Sequence, residues 1–205
     1  MSTSCCKIYT TIEERGKMRF LIKSAFLLLC LIPVAALAQT DKYGKPDTIY
    51  ADIERLNEHA FTVTISMAND EYIEGLSVPL KLSAGAVKIV GDSAVWRGGR
   101  VEHFAFKAFR ADTAIQCVTA GLVANMGPTN HTLAPGSGRL FTIYISSFGK
   151  KPIVKLTIDT ATTQPNNSLM CIADNIQYTD PPDTLPIDRR KEAEIVPVFV
   201  VREPK

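Results

Sequence analysis

The stretch Phe61-Thr62-Val63-Thr64-Ile65-Ser66-Met67 constrains the fold of this chain more than any other feature. Large apolar side chains occupy the odd positions and hydroxyls the even ones. Successive side chains of an extended strand point to opposite faces, so this text places one face on a core and the other in water. A helix would scatter the same residues around its circumference. Leu76-Ser77-Val78-Pro79-Leu80-Lys81-Leu82 repeats the pattern with a proline inside it. Proline has no N–H for a sheet ladder, so this strand is expected at a sheet edge or at a bulge.

Further strand candidates follow at short intervals, over 48–56, 87–90, 101–106, 114–124, 139–147, 153–159, 169–173 and 195–201. Turn residues separate them: Asn69-Asp70, Gly91-Asp92, Gly98-Gly99, Pro135-Gly136-Ser137-Gly138 and Gln164-Pro165-Asn166-Asn167. Many short alternating strands without long helices between them predict an all-β fold, an antiparallel β-sandwich of about nine strands and jelly-roll-like. The run 101–106 is ambiguous, because Val101, Phe104, Ala105, Ala108 and Phe109 also fit helical spacing. The Pro-rich, charged run 180–194 reads as a surface excursion before the last strand. The domain is expected over 47–201, with a short tail at 202–205.

Residues 1–38 read as an address. Lys17, Arg19 and Lys23 precede the apolar run Phe26 to Leu37, and Ala36-Leu37-Ala38 places small residues where a signal peptidase reads them. This is the pattern of a secretory signal, with cleavage before Gln39 and Met18 as a possible true start. The apolar run is shorter than the ~20 residues that span a bilayer. The membrane is therefore involved only through export, and the chain is expected outside the cytoplasm, whether periplasmic, extracellular or at the cell surface. Residues 39–46 form a polar, exposed lead-in.

Composition matters once the signal is set aside. The whole chain of 205 residues carries a formal charge of +2, but the signal holds five basic and two acidic residues. The remaining 167 residues hold 18 basic and 19 acidic ones. No excess of Lys and Arg is left to neutralise phosphates, which excludes a strongly basic nucleic-acid binder. One domain with a sizeable core fits that length.

Motifs for chemistry are absent from the text. His59, His103 and His131 have no partner at metal-ligand spacing, and no Asp-rich calcium loop occurs. Loop carboxylates such as Asp70 and Glu71 offer only generic cation ligands, so no cofactor or metal is expected. Pro135-Gly136-Ser137-Gly138 is not a nucleophile elbow, which needs G-x-S-x-G. No pair of carboxylates is singled out by spacing for glycoside hydrolysis. The chain is therefore read as a non-enzyme. Cys117 and Cys171 lie in separate predicted strands and are a disulfide candidate in an oxidising compartment, the other reading being two buried thiols. Trp96, beside the Gly98-Gly99 turn, is either a core plug or a flat platform for a sugar, and Tyr72 is a second candidate platform.

The strand text resembles a known family. Phe61 to Ile65, Asn69-Asp70-Glu71, and Ile73-Glu74-Gly75-Leu76-Ser77-Val78-Pro79-Leu80-Lys81 are similar to the early strands of cohesin-like domains. These belong to a superfamily of secreted bacterial β-sandwiches that also holds carbohydrate-binding modules. Gly136-Ser137-Gly138-Arg139-Leu140-Phe141-Thr142-Ile143 looks like that family's glycine turn entering a core strand, and Lys155 to Thr160 like the strand after it. The resemblance implies a module that binds a dockerin through one sheet face, in assemblies of polysaccharide-degrading enzymes. Two departures stand out. Where the cellulosomal pattern has Asn and, two positions on, Asp facing the dockerin, this chain has Gly75 and Ser77; its Tyr-Asp-Pro appears as Leu82-Ser83-Ala84.

The expectation is thus a secreted, non-catalytic binding module with a protein partner, or, in the second reading, a polysaccharide. The binding surface is expected on the outward side of the Gly75 to Lys81 strand, through Ser77, Pro79 and Lys81, with Asn69, Asp70 and Glu71 beside it. Tyr72 and Trp96 would serve the polysaccharide reading.

Overall fold

A computed structural model describes residues 44–125, 131–163, 167–174 and 194–203. The expected signal, most of the lead-in and nearly all of the 180–194 excursion lie outside these residues. Eleven strands are present among the described residues: β1 (Thr48–Asn57), β2 (Ala60–Asn69), β3 (Ile73–Ser83), β4 (Ile89–Val95), β5 (Phe106–Asp112), β6 (Cys117–Val123), β7 (Gly136–Ser147), β8 (Thr157–Thr160), β9 (Met170–Ala173), β10 (Glu194–Ile195) and β11 (Val198–Arg202). They form two sheets. The first runs β11-β1-β2-β7-β4 and the second β10-β9-β3-β6-β5, with β8 pairing β3 beyond the end of β9. Every pairing is antiparallel except β1 with β11.

The period of two works as expected. In β2 the inward row is Phe61, Val63, Ile65 and Met67, and in β7 it includes Phe141, Ile143 and Ile145. The second sheet answers with Leu76, Val78, Leu80 and Leu82 of β3 and Val118, Ala120 and Leu122 of β6. All of them join one core cluster between the sheets. Each of the larger side chains among them contributes about 1.5–3 kcal/mol when it leaves water. The core is therefore a layer, and the outer sheet faces stay free of it.

The structure corrects three expectations and decides one that the sequence left open. First, β3 is not an edge strand: β6 flanks it on one side, and β9 then β8 on the other. Pro79 is accommodated differently. Its carbonyl accepts from Ala161 N at 3.2 Å, and a strand residue's N and C=O point the same way. The missing N–H of Pro79 thus faces the interval between the start of β9, where Met170 pairs with Ser77, and the end of β8, where Thr160 pairs with Leu80. A register shift also interrupts β3 between Ile73 and Gly75.

Second, 101–106 is not a strand. Hydrogen bonds from Glu102 N to Gly99 O and from Phe104 N to Val101 O wind it into a turn whose Val101 and Phe104 are buried. The strand starts at Phe106 instead. Third, the run 195–201 breaks at Val196-Pro197. Before the break β10 pairs with β9, and after it β11 pairs with β1, so the chain changes sheets there. The open question was the cysteine pair: Cys117 and Cys171 are two buried thiols and form no disulfide. Both are free and buried, on β6 and β9, with β3 lying between those strands. The Cys171 Sγ lies 3.2 Å from Asp47 Oδ2 and Cys117 Sγ lies 3.6 Å from Ile115 O.

Candidate functional site

The outer face of the second sheet is built in rows, because strand register aligns every second residue across it. The first row is Ile172, Gly75, Val123 and Phe106, and the second Met170, Ser77, Gly121 and Ala108. Then come Pro79, Thr119 and Arg110, and finally Asp159, Lys81, Cys117 and Asp112. Bulk falls abruptly at the middle of the second row. A side-chain carbon added at Gly121 would meet nothing within 4 Å, whereas one at Gly75 would touch Ile172 at 3.4 Å. The result is a trough of about 640 Å³ across β9, β3, β6 and β5. Large apolar side chains stand along one bank, with Phe106 45% and Val123 40% exposed. Hydroxyls of Ser77, Thr119 and Thr163 line the other side, and the Thr119 and Thr163 oxygens bond each other at 3.1 Å.

Among the described residues, two charged side chains line the trough, Arg110 and Asp112. Asp112 Oδ1 accepts from the N–H groups of Ala114 and Ile115, at 3.0 and 3.3 Å, and so holds the turn into β6. That turn carries Gln116 at φ 55°, a left-handed conformation uncommon outside glycine. The Gln116 side chain secures it, donating to Ile89 O and Thr113 O and accepting from Ile89 N. Beyond the trough, the Lys81 ammonium donates to Ile115 O.

The residues singled out in the sequence divide into two places. Ser77 lines the trough and Lys81 stands exposed past its polar end, while Pro79 is buried between them. Asn69, Asp70 and Glu71 belong to the turn after β2, at the far end of the sandwich. Asn69 is buried and its Nδ2 donates to Glu71 O and Ala134 O, so it shapes the turn. Asp70 is exposed and accepts from Lys45 N at 2.9 Å. One carboxylate oxygen each of Asp47, Asp70 and Glu71 lies within 4.8 Å of the others, with Asp47 and Glu71 buried. Near them Arg100 ties Met67 O, Gly136 O and Ala134 O together. Burial pulls its guanidinium below the usual arginine range, and Asp47 opposes that pull. This end of the sandwich is a clamp on the stretch 134–138, where the chain enters β7.

Trp96 is half-buried and packs on Phe141 with ring centroids 4.7 Å apart, against the core cluster. Tyr72 is half-buried as well, and its carbonyl accepts from Asp174 N. Neither ring joins the trough. The sequence reading missed Gly121, Phe106, Ala108, Arg110, Val123, Met170 and Ile172. A signal existed for β5, since Phe109 and Ala111 alternate inward against the core while Phe106, Ala108 and Arg110 alternate outward.

No protein-family model matches the chain, and no curated protein matches it in sequence. Solved structures do. A cohesin module of OlpA from Clostridium thermocellum, solved in a cohesin–dockerin complex, superposes with a TM-score of 0.50 at 12% identity, covering 78% of this chain and 100% of that one. The sixth cohesin of scaffoldin B from Acetivibrio cellulolyticus, in complex with the Cel5 dockerin, gives 0.50 at 7% identity over the same shares. The fold is that of a cohesin module. A third, the OlpC cohesin of C. thermocellum, agrees at a TM-score of 0.50 and 5% identity, covering 81% of this chain and 99% of its own. The cohesin-like sandwich is thus the architecture that positions the trough, at identities that speak for the fold alone.

Proposed function

We propose that the chain is an exported, non-catalytic module that binds another protein through the outer face of its second sheet. The observation that carries this is the trough across β9, β3, β6 and β5. It is a concave, largely apolar surface on the side of a sheet that the core does not use. The cohesin-like fold supports the reading, since two of the matched cohesins were solved with dockerin partners. The Lys17 to Ala38 pattern supports export, and no helix among the described residues is long and apolar enough to cross a membrane. An extracellular or polysaccharide-degrading assembly is the setting that fits these features. The polysaccharide reading is the weaker one, because the Trp96 ring leans on Phe141 and not on an open face.

The test is retention of secreted proteins of the source organism on the immobilised protein, run beside an array of polysaccharides. A retained protein that is lost on Gly121→Leu is the expected outcome. Retention of a glycan, abolished by Trp96→Ala in a protein that still folds, would overturn the reading in favour of a carbohydrate-binding module.

A further inference from the structure

Resting on that reading, we infer that the segment the trough receives carries a large apolar side chain and, next to it, a carboxylate. The furrow above Gly121 sets the first requirement. It is walled by Met170, Ile172, Val123 and Phe106 and floored by a glycine between Ser77 and Ala108. A leucine, methionine or phenylalanine entering there would be removed from water on several sides, contributing on the scale of a buried core residue.

Arg110 sets the second. It lines the same trough and is exposed, and its guanidinium has no hydrogen bond or ion pair among the described residues. The other lining charge, Asp112, is engaged by two backbone N–H groups. A guanidinium is a planar fork of donors matched to a carboxylate, so the lining group left without a partner among the described residues is one whose complement is acidic. Register fixes the spacing. Ala108 stands opposite Gly121 and Arg110 opposite Thr119, so the two requirements lie two residues apart along the strand, about 7 Å. One turn of a helix, or two residues of an extended segment, spans that distance.

The chemistry is therefore an acidic–apolar pair on a protein segment. A fatty acid shares those two groups. The trough is an open surface crossing four strands, however, with hydroxyls along one side, and it does not enclose a chain.

Gly121→Leu and Arg110→Glu separate the two requirements. Gly121 has open space above it and no left-handed backbone, so leucine fills the furrow without disturbing the core. The experiment is selection of displayed random peptides on the purified protein, followed by calorimetry of synthetic forms of the enriched peptides; decanoate is titrated in parallel. Thermal unfolding of these two variants and of Arg110→Ala serves as the check on folding. Enrichment of an apolar residue neighbouring Asp or Glu is expected, with binding lost on Gly121→Leu. Replacing the peptide's acid by its amide should weaken binding about two- to fivefold on the native protein and not on Arg110→Ala, the scale of a partly exposed ion pair.

Enrichment of basic peptides, indifference to Arg110, or no enrichment would overturn the acidic requirement. Binding of decanoate with no peptide binding would replace the segment by a lipid. If a secreted protein is retained in a Gly121-dependent manner but is indifferent to Arg110→Glu, this inference fails and the protein-binding reading stands.

Discussion

Single atoms decide two positions in this sandwich. A Cβ on Gly99 would lie 1.9 Å from the carbonyl oxygen of Leu140, and backbone cannot yield cheaply. Gly99→Ala should therefore cost about 1–3 kcal/mol or more, read as a lower denaturant midpoint with an unchanged m-value. Trp96 is the second. Because its ring packs on Phe141 while half covered, Trp96→Ala should cost about 2 kcal/mol, less than the loss of a fully buried aromatic. An unchanged stability would return Trp96 to the role of an exposed platform. Gly98-Gly99 was visible in the sequence as a turn, but the reason for the second glycine was not. It lies in a carbonyl about forty residues further along the chain, and no local pattern announces a contact of that kind.

At the scale of elements, β5 is where the text misled. Its sequence, Phe-Lys-Ala-Phe-Arg-Ala-Asp, turns a phenylalanine outward at 106 and another inward at 109, so apolar residues mark both faces and alternation is blurred. The preceding turn adds Val101 and Phe104 to the core at helical spacing, which draws the eye away from the strand. β2 and β3 were legible because their outward positions are polar or small throughout. The two phenylalanines give the test. Phe109→Ala should cost more than about 2 kcal/mol, whereas Phe106→Ala should cost under about 0.5 kcal/mol. The second variant should nonetheless weaken partner retention. Equal losses of stability would mean that the facing of β5 is other than described. The trough itself was illegible for a related reason: its floor is Gly121, and a glycine contributes to no hydrophobic pattern. Only register, which sets Gly121 beside Ser77 and Ala108, makes a furrow of three small residues far apart in the chain.

For the molecule as a whole, the absence of a bond between Cys117 and Cys171 means that the core and the ladders carry the stability. A reducing agent should leave Tm unchanged, where a bridge closing a loop of that length would have contributed about 4 kcal/mol. A drop in Tm on reduction would restore the disulfide. The topology also has a consequence for how such a chain comes into being. β1 is bordered by β11, its partner lying 150 residues away at the Arg202–Asp52 ion pair, and the same terminal stretch reaches β9 through β10. Until residues 198–202 have been made and docked, the first strand keeps a bare edge. The sandwich closes like a drawstring bag, when the stretch that borders both sheets is drawn in. An open edge of that kind is a template for pairing with another chain, so aggregation is expected in the interval before β11 docks.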